Sequence, residues 1–241
     1  MYGPEFAEIY DLVYTLRGKD YPAESAYVAG LIRERVPGAS SVLDVACGTG
    51  GHLRHFLGMF DRAEGVELSD AMLSVARDRL PEAGLHHGDM RDFDLGRTYD
   101  AVVCLFAAVA HQDPAELGGT MRCFARHLRP GGVVVVEPWW FPETFTDGYV
   151  AADVLRPDHR TVTRLSHTTR EGDASRMDVH YVVADPKTGA RHFTESYVHQ
   201  LFPRALYERT LRDAGLTPEF IEGSQSGRGL FLGVKEGTDR P

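Results

Sequence analysis

Asp44-Val-Ala-Cys-Gly-Thr-Gly50 sets two glycines between a short apolar run, Ser41–Ala46, and a helical pattern that opens at His52. Glycines at such a junction let the backbone pass close beneath a ligand, at the carboxyl end of a strand, with no side chain in the way. Alone, the pattern equally describes a tight turn that binds nothing. It is not the G-x-G-x-x-G of dinucleotide binding, because Leu53 stands where the third glycine would allow close packing. Glu67 closes the next apolar run, Ala63–Glu67, seventeen residues after Gly50. A carboxylate there can accept hydrogen bonds from both hydroxyls of a ribose, or simply stand beside the helix start at Ser69. Gly88-Asp89-Met90 follows a third run, Leu85–Gly88. Its acid can accept an adenine amino group, and its soft thioether side chain can pack on the ring face.

Three such ends must be brought side by side, and the surrounding pattern supplies the means. The run Tyr99–Phe106 reads as a fourth strand and Val133–Glu137 as a fifth, the latter entered through Pro130-Gly131-Gly132. Helical patterns at His52–Met59, Ala71–Leu80 and Pro114–Leu128 separate the strands. Alternation of this kind implies an α/β fold, a doubly wound and mostly parallel sheet with helices on both faces. Residues 1–36 are helical and amphipathic, interrupted at Gly18–Tyr21, and read as an N-terminal lid. After Pro138 the rhythm changes. Thr161–Arg170, Arg176–Ala184 and Arg191–Leu201 alternate polar with apolar residues between turn signals, as an antiparallel β insertion at about residues 149–202. The chain then returns to a helix (Arg204–Ala214) and two strands (Thr217–Glu222 and Gly229–Val234), so residues 1–241 form a single domain in this reading.

Composition excludes several classes. A net charge of −9 offers no basic surface to displace counterions, so no nucleic-acid partner is expected. One or two local arginines can still hold a small anion on an acidic protein. The longest apolar run, Gly131–Val136, is far too short to span a bilayer, so no membrane partner is expected. Met1-Tyr2-Gly3-Pro4-Glu5 has neither the basic nor the apolar region of a signal peptide. Cys47, Cys104 and Cys123 form no C-x-x-C and no paired framework, which suits buried thiols in a reducing, cytoplasmic setting. No metal is expected.

Val42–Gly50, Glu67, Asp89-Met90 and the Pro130–Gly132 turn look like the motifs of class I S-adenosylmethionine-dependent methyltransferases. Arg17–Tyr21, Leu43–Gly50, Gly88–Phe93, Glu137-Pro-Trp-Trp-Phe-Pro142 and Ser226-Gly-Arg-Gly-Leu-Phe231 go further. They resemble the bacterial TDP-amino-deoxysugar N,N-dimethyltransferases of macrolide antibiotic biosynthesis. The last two stretches are specific to that group, and the resemblance runs along nearly the whole chain.

The resemblance implies a seven-stranded sheet, S-adenosyl-L-methionine as cofactor, a TDP-linked amino sugar as substrate and a homodimer. It implies that Glu67 holds the ribose, Asp89 with Met90 the adenine, Ala46 and Gly48 the cofactor by their backbone, and Arg17 the methionyl carboxylate. Leu105 would line the cofactor pocket, and Tyr2 and Tyr10 would close over the reacting centre. Trp139, Trp140, Phe141, Arg164, His167, Ser226 and Arg228 would face the sugar nucleotide, with Arg228 reaching the diphosphate. The family's Ser-Ser pair and following glycine after strand four are replaced here by Ala107, Ala108 and Ala110, so two hydroxyls that the family offers at that place are lost. His111, next in line, stands where family substrate-site residues stand.

Displacement at a sulfonium by a neutral amine needs alignment and exclusion of water more than a strong base. His111 or a tyrosine is therefore expected to orient the amine or take its proton. A methyltransferase of another small molecule, a nicotinamide oxidoreductase and a non-catalytic protein keeping a cofactor fold are the alternatives. The missing third glycine and the absence of a Tyr-x-x-x-Lys pair count against the second. Intact Asp44, Gly48, Gly50, Glu67 and Asp89 count against the third.

Overall fold

The structure, a computed structural model, describes residues 3–237. Two helices open the chain, α1 (Pro4–Leu16) and α2 (Tyr21–Arg35). The break between them is set by chemistry: Asp20 accepts the Ala23 N–H at 2.9 Å as the cap of α2, with proline in the first turn. The next elements are β1 (Ser41–Val45), α3 (Leu53–Phe56), β2 (Arg62–Glu67), α4 (Asp70–Arg79), β3 (Gly84–His87) and β4 (Tyr99–Cys104). A 3-10 turn at Ala108–His111 leads to α5 (Leu117–Arg126) and β5 (Leu128–Val136). Four strands follow, β6 (Tyr149–Leu155), β7 (Thr161–Glu171), β8 (Ala174–Asp185) and β9 (Gly189–Gln200). The chain ends with α6 (Arg204–Asp213), β10 (Leu216–Ile221) and β11 (Leu230–Lys235).

The main sheet has seven strands in the order β10-β11-β5-β4-β1-β2-β3. The run from β5 to β3 is parallel, and β11 and β10 add antiparallel at one edge. Every residue of β1 and β4 is buried, as strands covered on both faces must be. The order turns between β1 and β4, so their carboxyl ends open the crevice where ligands of such sheets bind.

Some boundaries differ from those expected: the helix expected over Pro114–Leu128 runs Leu117–Arg126, and the strand expected over Tyr99–Phe106 ends at Cys104. The helix expected over His52–Met59 is regular only at Leu53–Phe56, because i→i+3 and i→i+4 bonds mix from Gly50 to Phe60. The strand expected at Val133 starts already at Leu128, and Pro130–Gly132 is a register shift within it.

The second sheet is antiparallel in the order β6-β7-β8-β9; β6 joins the meander read from sequence. Its inner face packs on α1, with the Phe6 and Tyr181 rings 5.1 Å apart. The sheet thereby holds α1 across the mouth of the crevice. Its outer face leaves Val150, Val154, Leu165, Val182 and Val198 exposed. Among the described residues, no helix is long and apolar enough to cross a membrane.

Candidate functional site

A cavity of about 460 Å³ lies over the carboxyl ends of β1, β2 and β4 and the turn after β3. Tyr10, Ala46, Gly48, Glu67, Asp89, Met90, Leu105 and His111 all line it. The loop beneath is shaped by glycine. Gly50 adopts φ +82°, and a Cβ there would stand 2.6 Å from Leu80. A Cβ on Gly51 would meet the Tyr21 ring at the same distance. Glu67 accepts the Gly48 N–H at 2.9 Å on one oxygen and the Ser69 N–H at 2.7 Å on the other. Two of a carboxylate's roughly four acceptor positions then remain for a ligand. Asp89 is held by Arg91, whose guanidinium and backbone N–H both donate to it, and this keeps its pKa below the ordinary value.

A recess of about 30 Å³ opens beside this cavity between Asp44, Tyr21, Tyr10 and His52. Burial, then repulsion from Glu67, pushes the Asp44 pKa up to about 8. One Asp44 oxygen and the Tyr21 hydroxyl are buried there with no protein partner. Orphaned buried polar atoms are costly, so this recess is built for a small polar group, and an ammonium suits the acid.

A second cavity of about 420 Å³ lies between the main sheet and the inner face of the insertion sheet. Arg17, Arg164 and Arg228 line it with Tyr14, Trp139, Trp140 and His199. Arg164 is 3% exposed. It bonds Ser166 Oγ at 2.9 Å and lies 3.7 Å from Asp153, while its Nε–H has no partner. Arg228 donates to Glu137 at 2.5 Å and to the Pro138 carbonyl at 3.1 Å, and its guanidinium lies 5.2 Å from the Trp139 ring. Trp139 donates its Nε1–H to Ser175 and stacks on His199, so one indole face is already occupied.

Phe106 and Tyr197 line both cavities and form the partition between them. Phe106 and Ala107 stand at φ +56° and +60°, a conformation that costs a non-glycine residue about 1–3 kcal/mol and collects at functional sites. At the same junction the rings of His111, on the first cavity, and His199, on the second, are 4.4 Å apart. Burial lowers the His111 pKa to about 4, against a raising contribution from the Val198 backbone. Burial, then His111 and Arg228, drives His199 well below its ordinary value. Both imidazoles are neutral near pH 7, so they are weak bases that can accept a hydrogen bond.

Several expected site residues are placed elsewhere. Arg17 is not on the first cavity: it follows the end of α1, and its Nε–H reaches Asp153 of β6 at 2.8 Å, which turns it into the second. Phe141 is not on the second cavity, because it packs against Phe220 and Phe231 at the edge of the core. His167 is exposed on the outer face of β7, since strand alternation sends it opposite to Arg164. Ser226 sits behind Glu137, bonded to Ser224 and to the Arg228 N–H, and does not line the second cavity. Tyr2 lies outside the described residues. Conversely, Tyr14 and His199 line the second cavity without forming a local signal in the sequence, while Tyr21 in the recess and Glu137, bonded to Arg228 and Phe106, stand at the ends of the stretches Arg17–Tyr21 and Glu137–Pro142.

A family model described as a methyltransferase domain matches residues 42–132. The dTDP-3-amino-3,4,6-trideoxy-alpha-D-glucopyranose N,N-dimethyltransferase of Streptomyces venezuelae is 57% identical, over 97% of this chain and 99% of its own length. The dTDP-3-amino-3,6-dideoxy-alpha-D-glucopyranose N,N-dimethyltransferase of Streptomyces fradiae is 55% identical, over 97% and 92%. An amino pentose methyltransferase of calicheamicin biosynthesis from Micromonospora echinaspora, solved with S-adenosylmethionine bound, superimposes with a TM-score of 0.88 at 46% identity. That likeness covers 94% of this chain and 96% of the other.

Proposed function

Because this chain belongs to the family of bacterial TDP-amino-deoxysugar N,N-dimethyltransferases, we infer that its two joined cavities bring a methyl donor and a nucleotide-linked amine together. The chain is an S-adenosylmethionine-dependent N-methyltransferase of TDP-linked amino-deoxysugars in antibiotic biosynthesis. The observation that carries the arrangement is the partition: Phe106 and Tyr197 are walls of both cavities, so the reacting atoms meet beside them.

S-adenosylmethionine supplies a methyl group on a sulfonium, an electrophile that needs no further activation. In our reading Glu67 accepts from the ribose, Asp89 and Met90 face the adenine, and Ala46, Gly48 and Leu105 shape the floor. The orphaned Asp44 oxygen and Tyr21 hydroxyl suit the charged methionyl end. Tyr10, on the inner side of α1, closes the first cavity from above. Arg164 and Arg228 face the diphosphate as guanidinium forks, Arg17 lends charge to the same cavity, and Trp139 and Trp140 flank the base or sugar. His111 and His199 stand where the amine must lie. Alignment and exclusion of water are what the chain contributes, an effect worth up to about 7–11 kcal/mol of barrier.

The test is direct. Incubation with S-adenosylmethionine and a panel of TDP-sugars with and without an amine should yield products heavier by one or two methyl groups from the amino sugars and no transfer to the others. Arg164→Lys is expected to raise the Kd for TDP at least about tenfold, because an ammonium cannot reproduce the buried fork. Binding of S-adenosylhomocysteine should be unchanged, and titration calorimetry reads both. Equal losses for the two ligands would remove Arg164 from the sugar side.

The free, buried Cys47, Cys104 and Cys123 are consistent with a reducing cytoplasm as the site of action. The exposed apolar face of β6–β9 supports a homodimer in which two such faces meet about a twofold axis. Sedimentation should give twice the chain mass, and Val154→Glu with Val182→Glu should give the monomer. A wild-type monomer at micromolar concentration would refute the dimer.

A further inference from the structure

Glu137 follows β5 directly, bonds one residue of each of the two cavity walls, and is 4% exposed. Its two carboxylate oxygens serve different masters. One takes the Arg228 guanidinium at 2.5 Å, on the side of the second cavity. The other takes the Phe106 N–H at 2.6 Å, and Phe106 is the partition that also bounds the first cavity. Phe106 and Ala107 hold left-handed backbone, which side chains adopt only where their surroundings enforce it. The Glu137 carboxylate is one such enforcement, and Lys19 is another, with its ammonium 4.2 Å from the Phe106 ring. Burial alone would raise the Glu137 pKa, but Arg228, Lys19, Ser226 and the Phe106 N–H together bring it below the ordinary value. The group is therefore a buried anion shared between a substrate-facing cation and a backbone amide.

We propose that Glu137 is a positioning residue that couples occupancy of the sugar-nucleotide cavity to affinity in the cofactor cavity, through the Phe106 backbone. This rests on the assignment of the two cavities given above. An anion in the second cavity would compete with Glu137 for the Arg228 guanidinium, whose Nη2 group Glu137 holds. Less engaged by Arg228, the carboxylate bonds the Phe106 N–H more strongly, and the partition stiffens. A cofactor arriving at a wall already ordered gives up less conformational freedom, so it binds more tightly. By linkage the cofactor must strengthen nucleotide binding by the same factor. The sugar-bearing ligand and the methyl donor would then fill the site together, which limits unproductive occupancy by either alone.

The experiment measures the Kd of S-adenosylhomocysteine with and without saturating thymidine 5′-diphosphate, in the wild type and in Glu137→Gln. Glutamine keeps an oxygen for the Phe106 N–H but removes the charge shared with Arg228. In the wild type we expect the Kd to fall about fivefold or more when the diphosphate is present, the low end of ordinary couplings between sites. In the variant the ratio should stay within about twofold of one. A general loosening of the fold would weaken both Kd values and leave their ratio alone, so the ratio separates coupling from structural damage. Phe106→Gly, which removes the partition and relieves the left-handed strain, should abolish the ratio too, and serves if Glu137→Gln fails to fold. A wild-type ratio of one, or a ratio preserved in both variants, overturns the coupling while the cavity assignment stands. Failure of the wild type to bind either probe overturns that assignment instead.

Discussion

Glu67→Ala should weaken S-adenosylhomocysteine binding by about 1–3 kcal/mol, roughly a 5- to 150-fold rise in Kd. The side chain would be lost from two roles at once. Its remaining acceptor positions would no longer be offered to the ribose, and the Gly48 and Ser69 N–H groups would lose the carboxylate that ties the glycine loop to the start of α4. Ser69 caps that helix by accepting the Met72 N–H, so the damage stays local to the first turn. A second signature separates this role from simple loosening. Glu67 is, after burial, what pushes Asp44 up to a pKa of about 8. In the free wild type Asp44 gains its charge only as the pH rises through that value, and affinity for a ligand ammonium should rise with it. Removing the neighbouring negative charge lowers the Asp44 pKa, so in Glu67→Ala the rise should come at lower pH. Calorimetry on both sides of pH 8 checks both statements. Unchanged affinity in the variant would take Glu67 out of the cofactor site.

The parts of this site that were legible in the sequence are those whose chemistry is local. A glycine loop after a strand, an acid closing the next strand and Asp89-Met90 after the third each announce themselves within a few residues. The alternation of elements then puts their ends side by side. Motif membership does not say which way a side chain faces. Arg164 and His167 are three residues apart on one strand, so period-two alternation puts them on opposite faces, a conclusion the sequence already licensed once β7 was drawn. Phe141 belongs to a family-specific stretch, yet its neighbours Phe220 and Phe231 arrive from the far end of the chain and claim it for the core. Arg17 needed a partner to be placed, and Asp153 lies on the strand of the insertion that the polar-apolar pattern did not disclose. Glu137 and His199 share the same obstacle. Each gets its character from contacts with residues distant in sequence, Arg228 and Phe106 for one and His111 and Trp139 for the other.

For His111, replacement by alanine or phenylalanine is expected to lower kcat by no more than about 100-fold, the low end for a positioned acid–base group. The imidazole lines the first cavity at its junction with the second, where the proposed reading puts the amine. Its pKa decides what it can do there. Burial lowers it to about 4, so the ring is neutral near pH 7 and can accept a hydrogen bond from the amine. An alkylammonium has a pKa of about 10, as lysine does, so the proton lies roughly six units in favour of the amine. A base that weak cannot hold the proton; it can only orient the lone pair and pass the proton toward solvent. The substrate must then become neutral largely in solution, and wild-type kcat/KM should fall as the pH drops below the amine's own pKa, with no inflection near 6.5. The deficit of the variant should shrink as the pH rises, because more of the free amine is already neutral and less depends on the orienting contact. Steady-state rates over a pH series, with melting temperature and S-adenosylhomocysteine affinity as controls, decide it. A loss beyond about 10,000-fold at every pH, with fold and cofactor binding intact, would make His111 an obligatory base. Its pKa in the loaded site would then have to lie far above 4, which a carbon-13 or nitrogen-15 titration of the ring would reveal.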